Sequence, residues 1–230
     1  MIYAVLGLVL VVLIYAPSVW VRYVLNSHSK TLADLPGTGG ELAQHLVARF
    51  QLEGVVVAEG KPNEDHYSPD ERTVRLSPKV FKGRSLTAVA VAAHEVGHAI
   101  QFTRNEPVSH LRKKYFRRAI LIQRLGTGLL VCLPLITAVF RVPHIIVLTG
   151  LIGVGTMFVS VLMYVAILPE EFDASFGKAL PILEEGEYIS PAQVPAVRQV
   201  LRACAYTYVA SALADILSLW RWLALLRGIR

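Results

Sequence analysis

His94-Glu95-Val96-Gly97-His98 sets two imidazoles four residues apart with a carboxylate between them. On an α-helix, positions i and i+4 share a face, so both rings can reach one ion with Glu95 beside it. Zinc lowers the pKa of a water it holds from about 15.7 toward roughly 7, and Glu95 is placed to take that proton. The plainer alternative is a pair of core histidines beside a surface glutamate. It leaves a carboxylate in a very apolar helix, where it needs a partner.

A helix is expected here on local grounds. Ser85 can cap it, and Leu86 to Ala93 runs into the motif without Gly or Pro. The pattern continues through Phe102 and stops before Asn105-Glu106-Pro107. Lys82, Arg84 and Arg104 bracket this apolar run, which is shorter than the roughly 20 residues a bilayer requires. The motif helix is therefore not itself a span.

A catalytic zinc takes three protein ligands and keeps one position open. A third histidine six residues past the second would fall at position 104, which is Arg104, and Gln101 stands where that longer pattern wants Gly. A downstream carboxylate is the other solution. Glu106 is close in sequence, and Glu184, Glu185 and Glu187 surround Gly186 in what reads as a solvated turn. Leu168-Pro169-Glu170-Glu171-Phe172-Asp173-Ala174-Ser175 is the better source, and spacing alone leaves Glu170 and Glu171 equivalent.

The rest of the chain points to a membrane. It is 54% hydrophobic. Ile2 to Val21 is 20 residues without a charge, and Ile145 to Leu168 is 24. Leu125 to Phe140 is shorter, but Ala119 to Ile122 extends it if Gln123 and Arg124 face protein or snorkel. Val142-Pro143-His144 would then close a hairpin. Ala203 to Leu226 is a fourth apolar stretch, interrupted by Asp215 and Arg221. The N-terminal run lacks the basic start and small-residue cleavage site of a signal peptide.

The expected organisation is a first span over 1–21 and a cytosolic metalloprotease region over 22–118. A hairpin over 119–168, a cytosolic segment over 169–202 carrying the third ligand, and a fourth membrane helix with a short tail over 203–230 follow. The polar region should hold a helix after Thr38-Gly39-Gly40 and short strands at Val55-Val56-Val57 and Thr73-Val74-Arg75-Leu76, joined by a loop from Lys61 to Asp70. Cys132 and Cys204 both fall in apolar stretches and suggest neither a ligand nor a disulfide. Of the 23 Lys and Arg, 15 lie between 22 and 118, which by the positive-inside rule puts that region in the cytoplasm. The net charge of +6 suits anionic lipid headgroups, and nothing indicates nucleic acid.

Several ordered pieces carry a resemblance. Thr38-Gly39-Gly40-Glu41-Leu42-Ala43, Asp65-His66-Tyr67-Ser68-Pro69, Thr73-Val74-Arg75-Leu76-Ser77, Ala92 through Gln101, Glu171-Phe172-Asp173-Ala174-Ser175 and Ala205 through Ala210 resemble the YugP-type neutral zinc metallopeptidases of bacterial membranes. The resemblance covers nearly the whole chain and implies a Zn2+-dependent endopeptidase, multi-pass in the bacterial plasma membrane, with a cytosolic active site. More distantly, the chain is similar to the HtpX-type quality-control proteases, whose third ligand opens a Glu-aromatic-x-Ala-Asp pattern. That alignment selects Glu171 over Glu170 and puts Ser175 where the distant family has an Asp that orients the first histidine. It leaves Asp173 as a second candidate for that role.

Asp65-His66-Tyr67 has two readings. His66 or Tyr67 can donate to the oxyanion of a tetrahedral intermediate, or the three residues form a polar loop entering a turn. The expected molecule is an α-rich membrane protein of about four transmembrane or membrane-associated helices with a small α+β metalloprotease domain. His94, His98 and Glu171 hold zinc, Glu95 acts as general base, and peptide or protein substrates, membrane proteins among them, are cleaved beside the lipid bilayer. The alternatives are a non-catalytic scaffold with a structural zinc and an intramembrane zinc protease. Charges flanking the motif helix oppose the latter, and the intact Glu95 opposes the former.

Overall fold

The computed structural model describes residues 2–110, 112–140 and 143–227. The elements are α1 (Ile2–Ser27), α2 (Gly39–Arg49), β1 (Val56–Glu59), β2 (His66–Ser68), β3 (Thr73–Leu76), α3 (Pro78–Phe81) and α4 (Leu86–Thr103). After a 3-10 turn (Pro107–Ser109) and a π-helical turn (Arg112–Phe116) come α5 (Arg117–Phe140) and α6 (Pro143–Phe172). A π-helical segment (Asp173–Ala179), α7 (Leu180–Glu185) and α8 (Val194–Arg227) complete the chain. It divides into two compact units, a larger one of Val19–His110 with Leu168–Thr207, and a second of Met1–Ser18, Leu111–Ile167 and Tyr208–Arg230.

The larger unit packs α2, α4 and the π segment around one core. Thr38 starts α2 with a reciprocal cap: the Glu41 N–H donates to Thr38 Oγ1 at 3.2 Å, and the Thr38 N–H donates to Glu41 Oε2 at 2.7 Å. Glycine is needed at 39, where a Cβ would sit 2.5 Å from the Val80 carbonyl and 2.8 Å from that of Ala88, so α2 can lie directly on α3 and α4. The sheet has the order β1-β3-β2, with β1 parallel and β2 antiparallel to β3. Ser85 caps α4 by accepting from the Ala88 N–H at 3.1 Å. Every residue of α4 from Leu86 to Gln101 is buried, so this helix is the axis of the unit.

In the second unit, α5 and α6 approach closely. A Cβ at Gly126 would collide with Thr156, and one at Gly153 would collide with Leu130. The Thr156 hydroxyl turns back on its own helix, donating to the Gly153 carbonyl at 2.7 Å. Positions 141 and 142, where the expected hairpin turn begins, lie outside the described residues, as do 228–230 of the expected tail.

The expectation of about four spans is corrected. Among the described residues one helical run, Val147–Glu185, is long and apolar enough to cross a bilayer. The reason is visible in the core of the larger unit. Val21 and Val24 at the end of α1 are 7% and 0% exposed there, and Ala203 and Ala205 of α8 are 0% exposed. The first turns of α8 are thus spent on protein packing, whereas in α1 burial begins only at Val21, and Val9, Val12, Tyr15 and Val19 are 48%, 55%, 49% and 64% exposed. α5 opens with Arg117 and Arg118 and carries Arg124, and α8 carries Arg198, Arg202 and Arg221.

Candidate metal centre

α4 delivers His94, Glu95 and His98, which are 4%, 7% and 3% exposed. The two imidazoles stand edge to face, with centroids 4.7 Å apart and planes at 82°. Between them in sequence, Gly97 sets the approach of the next element: a Cβ there would lie 2.8 Å from the Ala174 carbonyl. The glycine therefore lets the π segment and the end of α6 lie against the motif. The π geometry, with the Leu180 N–H reaching back to the Ser175 carbonyl, widens that turn. Glu170, Glu171, Ala174 and Ser175 are all buried here.

Glu171 Oε2 lies 3.4 Å from His94 Nε2 and 3.3 Å from His98 Nε2. One ligand atom from each of His94, His98 and Glu171 falls within 4.8 Å of the others. Glu170 is placed differently: its Oε1 is 3.5 Å from His98 Nδ1, the other ring nitrogen. A buried carboxylate and two imidazole nitrogens are the oxygen and nitrogen donors that zinc takes, and three protein ligands leave a position open. The residues present fit that ion.

Ser175 orients the first histidine. Its hydroxyl donates to the Leu201 carbonyl at 3.0 Å, so toward His94 Nδ1, also at 3.0 Å, it can only accept. His94 thus carries hydrogen on Nδ1 and leaves Nε2 with a lone pair. Gln101 contacts the second histidine, with Oε1 3.0 Å from His98 Nδ1. Among the described residues no hydrogen bond joins Asp173 to either imidazole; it accepts from Gln101 Nε2 at 2.8 Å.

Glu95 is held by the sheet. The Tyr67 backbone N–H donates to Glu95 Oε2 at 2.8 Å. Strand β2 is anchored for this by Asp65, whose Oδ1 accepts from the Ser77 N–H at 2.7 Å and whose Oδ2 accepts from the Ser77 hydroxyl at 3.1 Å. Burial nevertheless raises the Asp65 carboxyl above its usual range, against the lowering effect of those bonds. The Tyr67 ring packs on Phe102, with centroids 5.9 Å apart, and its phenol bonds Thr103. Burial raises the Tyr67 phenol. His66 is half-buried opposite Arg75 on β3, and among the described residues no hydrogen bond joins it to the three ligands. Cys204 is a free thiol on α8, pushed up by burial and by the charges of Glu95, Glu171 and Asp65.

Sequence reasoning missed three contributors. One is Gln101, whose only signal was a polar residue one turn past His98 in an apolar helix. The second is Gly97, an unassigned motif position, and the third is the backbone, not the side chain, of Tyr67.

An H-E-x-x-H helix facing a buried carboxylate from a second helix is the arrangement of a zinc peptidase. The chain belongs to the family described as "Putative neutral zinc metallopeptidase", whose profile matches residues 3–227. It is 33% identical over 219 residues, covering 89% of each chain, to the "Putative membrane protease YugP" of Bacillus subtilis (strain 168). No solved structure matches the chain.

Proposed function

We propose that this protein is a membrane-bound zinc endopeptidase in which His94, His98 and Glu171 hold the metal and Glu95 moves the proton. The observation that carries the reading is the convergence of both Nε2 atoms on Glu171 Oε2, at 3.4 and 3.3 Å, beside a carboxylate pinned by a backbone N–H. Zinc bound there supplies a Lewis acid that polarises a carbonyl and makes water acidic near neutral pH. Glu95 Oε2 stays on the Tyr67 N–H, so the proton of the attacking water is taken at Oε1. As water oxygen bonds to the peptide carbon and the C–N bond breaks, the same oxygen returns the proton to the leaving amine. A structural zinc has no use for such a carboxylate.

The substrates are peptides or proteins, and membrane proteins suit an enzyme with one long apolar helix. Glu171 lies only three positions beyond Leu168, the end of the charge-free stretch in α6. This supports a site close to the bilayer surface. The 15 Lys and Arg of 22–118 support the cytoplasmic side of the bacterial plasma membrane. A thiol placed at 62 should then resist external labelling in intact cells, and labelling there would invert this orientation.

The test of the activity is proteolysis of an unfolded membrane protein by wild type and Glu95→Gln. Loss of cleavage with one zinc per chain retained supports the reading. Loss of zinc with it makes Glu95 structural.

A further inference from the structure

Gln101 is 0% exposed, a polar side chain one turn past His98 on a helix buried from Leu86 to Gln101. Its amide makes three contacts. Nε2 donates to the Glu170 carbonyl at 2.9 Å and to Asp173 Oδ2 at 2.8 Å, and Oε1 faces His98 Nδ1 at 3.0 Å. A backbone carbonyl only accepts, and so does an ionised carboxylate. Both N–H hydrogens of Gln101 are therefore committed, and the amide cannot be flipped without setting its carbonyl against two acceptors. What remains for His98 is to donate. Its hydrogen must sit on Nδ1, which leaves the Nε2 lone pair facing Glu171.

The amide is itself held. Lys178 Nζ lies 2.8 Å from Asp173 Oδ2 and 2.8 Å from Glu106 Oε2, tying the π segment to the loop after α4. Gly177 makes room for this, because a Cβ there would collide with Asp173 Oδ1. The two histidines thus receive the same instruction from different partners, Ser175 for His94 and Gln101 for His98.

We propose that Gln101, braced by Asp173 and the Glu170 carbonyl, is a positioning residue that fixes the hydrogen of His98 on Nδ1 and the angle of its ring, so that Nε2 is presented to the metal. The inference rests on the metal-site reading above and deepens it. Without that acceptor, Nδ1–H is left with the more distant Glu170 Oε1, at 3.5 Å, and neither the ring angle nor the tautomer that presents Nε2 is fixed as tightly.

The test uses full-length protein in detergent, with zinc affinity from chelator competition and 15N-histidine NMR of the zinc-loaded form. Gln101→Met keeps volume and removes the acceptor. It should weaken zinc about 10–100-fold and expose the Nδ1 hydrogen of His98 to exchange while leaving that of His94 protected. Gln101→Glu keeps the acceptor for His98 but sets a carboxylate against both Asp173 and the Glu170 carbonyl, of which the first is the charged contact. Adding Asp173→Asn supplies a donor at that contact, so the double variant should bind zinc more tightly than Gln101→Glu alone. This reversal decides the matter if Gln101→Met does not fold. Wild-type affinity and an unchanged His98 signal in Gln101→Met, or equal losses in Gln101→Glu and the double variant, overturn the proposal while the metal site stands. A wild type that binds no zinc overturns both.

Discussion

In the larger unit Leu46, Val74, Ala93 and Leu201 are fully buried, whereas in the second unit Leu125, Leu135 and Val139 stand 62%, 69% and 67% exposed. The same residue types serve opposite ends. Around α4 they exclude water, so each buried polar group needs a partner: Ser175 for His94, Gln101 for His98 and the Tyr67 N–H for Glu95. Outward-facing leucine and valine have no such demand. Chemistry belongs to the unit that hides its apolar side chains, and substitutions should divide accordingly.

The largest effect is expected at Glu95. Glu95→Gln keeps shape and removes the proton acceptor, so cleavage should fall by about 10²–10⁴-fold with zinc content unchanged. Stripping zinc with a chelator should abolish cleavage in wild type, and restoring the ion should recover it. Gly97→Ala comes next, because its Cβ would meet the Ala174 carbonyl at 2.8 Å and push the π segment off α4. Overpacking of this kind costs about 1–3 kcal/mol, readable as a lower thermal midpoint together with weaker zinc binding. Ser175→Ala should weaken zinc about 10–100-fold in a chelator competition. Asp173→Asn should cost less, since the asparagine oxygen can still accept from Gln101. At the small end, Leu125→Ala or Leu135→Ala should leave zinc affinity unchanged. A loss there comparable to that of Ser175→Ala would erase the division between the units.

How much of this was legible in the sequence follows the same division. α4 was readable because its determinants are local: a Ser85 cap, an unbroken apolar run, and ligand spacing that matches the helix. β3 was readable from Thr73-Val74-Arg75-Leu76. β2 was not, because His66-Tyr67-Ser68 has no apolar alternation; Asp65 and Glu95 hold it from outside the strand. The separation of Glu171 from Glu170 came from an aligned aromatic, and the structure gives the physical difference, opposite sides of the His98 ring. Gln101 was out of reach because its partners, Glu170 and Asp173, lie about 70 residues away. The count of spans failed for a related reason. Hydropathy records that Val21, Val24, Ala203 and Ala205 avoid water, not whether protein or lipid receives them.

The central claim is that Glu171, and not its neighbour, completes the metal site. Zinc analysis of purified Glu171→Ala and Glu170→Ala tests it most directly. Loss of zinc and cleavage in the first, with both retained in the second, is the predicted result. Stoichiometric zinc in Glu171→Ala would contradict it and move the third ligand elsewhere.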